Sequence, residues 1–324
     1  MVGVAYRFDC LDWVCLWYPP GWLVLLNRHW QHYHCDHDGW SGLELALFLL
    51  PGGFYVAWLL RLGRRAPRCE VSGFEPAYQA AFRDEILAPI AKRYFRFELH
   101  GAEQLPQAQR AIAAANHAGM GFPWDLLVLA YALDRTGSGP IRPLAGVPLF
   151  EHPWMQWWLP PGWTQALGGV PASGDAFEAA VRQPGMVLYA PEGVRGPAKG
   201  WRQRYRLQTF HPAAVRLSDR YQVPIVPVAC VGSEGLHPWA LNWPRAARAL
   251  GLPFFPLSGG MLALLLFPSL GVWALPARLR YTVLSPQPPV RCGRCPPHRQ
   301  RAAAYQRAQQ LRARLQAALN ELWP

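Results

Sequence analysis

From about residue 75 onward, the chain alternates between two rhythms: apolar positions recurring every three or four residues, and short unbroken apolar runs. The first rhythm marks amphipathic helices, and the second marks strands buried on both faces. "PAYQAAFRDEILAPIAKRY" (76–94) opens on a proline, which suits a first helical turn, and reads as a helix. "FRFELHG" (95–101), "AIAAAN" (111–116), "IRPLAGV" (141–147), "TQALGGV" (164–170), "GMVLYAP" (185–191), "VPIVPVACV" (223–231) and "ARLRYTVL" (277–284) read as strands. Helices are predicted between them at "DLLVLAYAL" (125–133), capped by Asp125, at "DAFEAAVRQ" (175–183) and at "YRLQTFHPAAVRLSDRY" (205–221). This alternation predicts an α/β domain over 71–290, with a mixed, largely parallel sheet flanked by helices. Residues 291–324 form a C-terminal helix with Tyr305, Ala308, Leu311, Leu315, Leu319 and Leu322 on one stripe.

Residues 1–70 follow another pattern. "LDWVCLWYPPGWLVLL" (11–26) and "LALFLLPGGFYVAWLL" (45–60) are apolar throughout, each with Pro-Gly punctuation near its middle. A straight spanning helix needs about 20 apolar residues, and both runs are shorter and carry helix breakers. They read as shallow or re-entrant membrane-associated helical segments; the alternatives are a kinked span for the second, or core helices of a soluble protein. In the membrane reading, Arg61, Arg64, Arg65 and Arg68 face cytoplasmic headgroups. "GGMLALLLFPSLGVWALP" (259–276) reads as buried or interfacial packing around an acyl chain rather than as a span.

Charge sharpens the membrane reading. The 324 residues carry a net charge of +12, and of 32 basic residues only Lys92 and Lys199 are lysines, so the chain attracts anions chiefly through arginine. Sixteen tryptophans tilt that attraction toward a lipid surface, and nothing in the spacing suggests nucleic acid. Seven scattered cysteines argue against a disulfide framework and for a reducing compartment. No cleavable signal peptide is apparent. "NRHWQHYHCDHD" (27–38) concentrates His29, His32, His34, Cys35, His37 and Asp38, and "CGRC" (292–295) is a lone Cys-x-x-Cys; neither has a paired zinc signature, so no metal site is assigned.

Three strand ends carry candidate chemistry, as the carboxyl edge of an α/β sheet commonly does: "ANHAGMGFPWD", "YAPEGVRGPAK" and "VPIVPVACVGSE". A histidine beside a carboxylate removes a proton from an alcohol, the carboxylate fixing the tautomer and stabilising the imidazolium. No serine or cysteine nucleophile lies close to His117 in sequence, which makes the substrate the source of the alcohol. "PEGVRG" places Glu192, Gly193 and Arg195 in one turn, with Lys199 four residues on, a set suited to an anionic ligand.

These blocks resemble the phospholipid/glycerol acyltransferase superfamily, and within it a bacterial lysophosphatidate acyltransferase-like subgroup. The resemblance rests on Asn116, His117 and Asp125, then Pro191, Glu192, Gly193 and Arg195, then Val223 to Val228, in the family's order over residues 75–285. It implies a membrane-associated O-acyltransferase, active on the cytoplasmic side, that moves a fatty acyl group from acyl-CoA or acyl carrier protein to a glycerolipid hydroxyl, such as that of 1-acylglycerol-3-phosphate. His117 would be the general base and Asp125 its partner. Asn116, Gly119, Glu192, Gly193, Arg195 and Lys199 would bind substrate, with amides near Gly119 or Gly193 facing the oxyanion; no bound cofactor is implied. Two departures stand out. Seven residues, "AGMGFPW", separate His117 from Asp125 where the family commonly has four, so Asp125 is either the partner of His117 or only a helix cap. "LGGVPASGDAF" (167–177) has Ala172 and Ser173 where the family places a phosphate-binding arginine, which leaves room for a neutral acceptor such as a mono- or diacylglycerol or a glycolipid. A His-Asp hydrolase and a non-catalytic lipid-binding protein are the competing classes.

Overall fold

The computed structural model describes residues 5–34, 40–61, 71, 73–107, 109–118, 122–144, 155–238, 241–251, 255–257, 263, 266–291 and 296–323. It divides into two compact units. One comprises Met1–Tyr94, Val147–Gly168 and Leu257–Leu275, and the other Phe95–Gly146, Gly169–Pro256 and Pro276–Pro324.

In the first unit, "LDWVCLWYPPGWLVLL" folds as α1 (Cys10–Trp17), a 3-10 turn at Pro19–Gly21, and α2 (Trp22–His34). A Cβ at Gly21 would fall 2.4 Å from the Cα of Cys15, so the glycine permits the close return of the chain. Leu23, Val24, Leu25, Leu26 and Trp30 are all buried. The second run becomes α3 (Gly42–Phe48), capped reciprocally by Ser41 and Glu44, and α4 (Gly53–Leu60). A Cβ at Gly53 would meet the Leu47 carbonyl at 1.8 Å, which explains the glycine in this turn too. Among the described residues no helix is long and apolar enough to cross a membrane. α4 nevertheless exposes Tyr55, Val56, Trp58, Leu59 and Leu60, and buries only Gly53 and Ala57. Arg61 pairs with Glu44 and lies 4.3 Å over the Trp40 ring, while Arg64, Arg65 and Arg68 lie outside the described residues. The helix predicted at 76–94 is α5 (Pro76–Phe82) continued by π-type turns at Arg83–Leu87 and Ile90–Tyr94.

Of the histidine-rich stretch, His29 and His34 hydrogen-bond Glu85 and Glu75, at 3.0 and 2.8 Å. Cys35, His37 and Asp38 lie outside the described residues, as does "CGRC". The predicted strand "TQALGGV" is instead a helical turn, Trp163–Ala166. Gly162 and Gly168 take left-handed φ values of 80 and 81° at its two ends and reverse the chain there. Only Val170 bridges to a strand-like partner, Leu144.

The second unit is built on one six-stranded sheet: β1 (Glu98–His100), β2 (Ala111–Ala115), β3 (Ile141–Pro143), β4 (Met186–Tyr189), β5 (Ile225–Val231) and β6 (Arg280–Val283). The spatial order is β1-β6-β5-β2-β4-β3, parallel at every pairing except β5 with β6. This is the mixed, mostly parallel sheet expected. β2 lies between β4 and β5, with Ala113 beside both Leu188 and Val226. Its five residues are buried, and its four alanines leave the covering side chains room to approach.

Four helices matter for the site: α6 (Trp124–Asp134), α7 (Gly174–Arg182), the single turn α8 (Arg195–Ala198) and α9 (Ala213–Tyr221). The C-terminal helix α10 (Pro297–Leu322) packs through Ala304, Ala308, Leu311, Leu315 and Leu319 into a core with Phe177, Val181, Val215 and Ile225. Tyr305, predicted on that stripe, is half exposed, because the buried steps of four, three, four and four residues start at Ala304.

Candidate active site

β2 delivers two polar residues to its carboxyl end by simply running out. Asn116, the first of them, is buried and uses both ends of its amide on β5: its Nδ2 donates to the Cys230 carbonyl at 2.9 Å and its Oδ1 accepts from the Cys230 N–H at 2.7 Å. It therefore extends the β2–β5 ladder by one rung made from a side chain. The Cys230 thiol beside it is pushed well up by burial, which keeps it protonated and poor as a nucleophile.

His117 follows. Its Nδ1 lies 3.0 Å from both Asp125 oxygens, so the proton is assigned to Nδ1 and the lone pair to Nε2. Asp125 is almost fully buried and also accepts from the N–H groups of Ala118 and Leu126, at 3.0 and 2.9 Å. The Tyr281 hydroxyl on β6 donates to the Asp125 carbonyl at 2.7 Å, fixing the backbone as well. Burial alone would lower the pKa of His117, but the Asp125 carboxylate, aided by Glu192, outweighs burial and holds it above the ordinary value.

The seven-residue gap does not separate the pair. Phe122 and Trp124 are buried, with ring centroids 4.7 Å apart, and anchor the returning chain. The cap of α6 is Pro123, not Asp125. Asp125 sits within the first turn, where a carboxylate still suits the helix dipole and its side chain can turn back to His117. Gly119, together with Met120 and Gly121, lies outside the described residues.

The turn after β4 packs directly beneath this pair. A Cβ at Gly196 would fall 2.5 Å from the His117 carbonyl, so only glycine allows the two segments to meet. Glu192 is buried, with Oε2 accepting from the Gln208 N–H at 2.7 Å and Oε1 unpartnered among the described residues. Burial pushes its pKa up, against the Lys199 charge, the Gln208 N–H and His117. Lys199 is itself buried, 2.8 Å from Glu234, whose Oε1 also accepts from the Tyr205 N–H. Gly193 takes a left-handed φ of 56°, and its N–H is occupied by the Ala190 carbonyl. Arg195 alone of this predicted group has its side chain exposed to solvent.

The structure thus brings together Asn116, His117, Asp125, Glu192 and Lys199, and adds Gln208, Cys230, Glu234 and Tyr281. Glu234 stands in "VGSEGLHPW" after β5, where an acid so close to a strand end was a readable signal. Gln208 and Tyr281 carried none, since each acts through a contact distant in sequence.

A buried carboxylate beside a histidine, at the carboxyl edge of a mostly parallel sheet, is an arrangement able to assist proton transfer from a hydroxyl or water. Residues 96–231, somewhat under half of the chain, match the family model described as Acyltransferase. Uncharacterized proteins of Mycobacterium tuberculosis and Mycobacterium bovis are each 31% identical to it over 214 residues, covering 64% of this chain and 56% of theirs. One from Mycobacterium leprae is 31% identical over 191 residues, covering 57% and 50%. The chain spans about half the length of the curated relatives it matches. The solved structure of the 1-acyl-sn-glycerophosphate (LPA) acyltransferase PlsC from Thermotoga maritima aligns with 92% of this chain and 95% of its own, at a TM-score of 0.43 and 16% identity.

Proposed function

We propose that this protein is a membrane-associated O-acyltransferase that moves a fatty acyl group from a thioester donor, acyl-CoA or acyl carrier protein, to the hydroxyl of a glycerolipid such as 1-acylglycerol-3-phosphate. The observation that carries the reading is the Nδ1 contact of His117 with both oxygens of Asp125, which leaves Nε2 as the acceptor of a proton. Nε2 takes the proton of the acceptor hydroxyl as its oxygen attacks the thioester carbonyl. The tetrahedral adduct collapses with loss of the thiolate, which recovers the proton from the imidazolium. Asp125 stabilises the transient positive charge, and the two backbone N–H groups that its carboxylate accepts from favour its ionised form.

Attachment to a lipid surface, on the cytoplasmic side, belongs to the same reading. It is supported by the exposed apolar side of α4, by the arginine-rich sequence that follows α4, and by a charge of +12. The test supplies labelled acyl-CoA and acyl-loaded carrier protein to the purified protein with lysophosphatidate, monoacylglycerol, diacylglycerol and a glycolipid. The reading expects an acylated lipid that disappears in His117→Ala. Thioester hydrolysis without acylation of any acceptor would overturn it in favour of a hydrolase.

A further inference from the structure

Between Glu234 and Glu321 the chain contains no aspartate or glutamate and eleven arginines, so this stretch holds all but one of the chain's net positive charges. Glu234 is itself taken by Lys199, and Arg278 and Arg307 are taken by Glu98 and Asp219. Within the connection from β5 to β6, the second unit carries a folded excursion over residues 241–250. The Trp243 N–H donates to the Phe255 carbonyl at 2.9 Å, and the Phe255 N–H donates to the Asn242 side-chain oxygen at 3.1 Å, which clamps the ends of the excursion together. Between these ends Pro244 opens a short helix, Pro244–Ala249, which buries Ala247 alone. Leu241, Trp243 and Leu250 stay 45, 49 and 58% exposed. Arg245 and Arg248 beside them are exposed and form no ion pair among the described residues. Arg248 reaches only the Pro244 carbonyl of its own helix, at 3.4 Å.

We infer that this excursion is a docking surface for an anionic lipid bilayer, in which Leu241, Trp243 and Leu250 enter the headgroup layer while Arg245 and Arg248 pair with lipid phosphates. Complementarity carries the assignment. An arginine without a carboxylate partner, in a stretch that offers none, attracts an anion. An acidic partner in solution would meet the two guanidinium groups, but three large apolar side chains beside them call for a medium that is charged at its face and apolar beneath. A bilayer interface is that medium: the indole sits at headgroup depth, the aliphatic chains go just below it, and the guanidinium groups stay at the phosphates. The clamp between Trp243 and Phe255 helps, since a backbone already folded loses little freedom on binding. This contact is separate from the one proposed for α4. It lies in the unit that carries His117 and gives that unit a hold of its own on a lipid surface, whatever chemistry His117 performs.

Vesicle flotation with the full-length protein tests this, using vesicles of phosphatidylcholine alone and of phosphatidylcholine mixed with phosphatidylglycerol. Arg245→Ala/Arg248→Ala should weaken partitioning onto the anionic vesicles about 10- to 30-fold, the loss expected of two arginines near a charged surface, and leave partitioning onto phosphatidylcholine unchanged. The gap from wild type should close as salt rises. Leu250→Ser, at the most exposed apolar position of the three, should weaken binding to both kinds of vesicle about 3- to 10-fold. Trp58→Ala/Leu59→Ser on α4 is the comparison. Binding lost in that variant but kept in the two excursion variants would overturn the assignment and leave the α4 contact standing. Arginine-variant binding that falls for a soluble acidic protein, with vesicle binding unchanged, would overturn it in favour of a protein partner. Wild type that floats with neither vesicle would overturn both lipid contacts. Flotation needs no turnover, so each of these results is read independently of whether the protein transfers acyl groups.

Discussion

Two neighbouring groups of polar side chains, both at the carboxyl edge of the sheet, are built on opposite plans. Beneath, Asn116, Asp125, Glu192, Lys199 and Glu234 are buried and held by hydrogen bonds or ion pairs, with distances between 2.7 and 3.0 Å. Above, Arg195, His211 and Arg216 are exposed, and the two arginines are unpaired among the described residues. Apart from the Glu192 Oε1, the buried group is held by hydrogen bonds or ion pairs among the described residues, whereas the exposed arginines form no ion pair there. The difference is one of burial and pairing, and it separates a rigid floor from an open rim.

The largest break in this contrast comes from His117→Ala. Losing the base should cut acyl transfer by about 10²- to 10⁴-fold, the usual worth of positioned base catalysis, while circular dichroism shows an unchanged fold. Asp125→Asn should lower the rate almost as far and also move the pH profile. Because Asp125 holds the pKa of His117 above its ordinary value, removing its charge lets the neutral base persist to lower pH, and the acid limb should shift downward. A limb that stays in place would mean that Asp125 serves the helix alone. The same raised pKa has a consequence for folding. The stabilisation by this pair is complete below the unfolded histidine value, about 6.5, and is lost as pH rises through the higher folded value.

A smaller effect should separate floor from rim by stability. Lys199→Met leaves Glu234 buried without its cation and should cost about 3–5 kcal/mol in denaturant unfolding, with Lys199→Met/Glu234→Gln recovering a substantial part. Loss of lysophosphatidate affinity in the double variant at full stability would move Lys199 from the floor to the rim. Gly196→Ala, which sets a methyl 2.5 Å from the His117 carbonyl, should cost about 1–3 kcal/mol and lower kcat more than it raises KM. Smallest of all, Trp58→Ala and Leu59→Ser on the exposed side of α4 should alter unfolding by about 0.5 kcal/mol or less, while weakening binding to anionic vesicles. Unchanged vesicle binding would remove α4 from any lipid contact.

Periodicity carried most of the second unit. The apolar runs at 111–116, 185–191 and 223–231 are central strands because burial on both faces demands unbroken hydrophobicity. "TQALGGV" misleads because an apolar run of that length suits a strand or a buried turn equally well, and the deciding left-handed backbone at Gly162 and Gly168 leaves no apolar signature. The pairing of His117 with Asp125 was expected from the resemblance, but the sequence alone left a helix cap as the alternative, because closing a seven-residue gap depends on Phe122 and Trp124 burying their rings, a tertiary event. Asn116 was expected to bind substrate only through the family resemblance. Its engagement with Cys230, 114 residues away in sequence, shows no local trace.

The bond from Tyr281 to the Asp125 carbonyl spans 156 residues of sequence. β6, which carries Tyr281, inserts between β1 and β5, and it is the last strand of the sheet to leave the ribosome. A nascent chain that has made His117, Asp125 and β5 still lacks the anchor that sets the acid's backbone. The Asp125 backbone therefore gains this anchor only once the antiparallel strand has paired with β5.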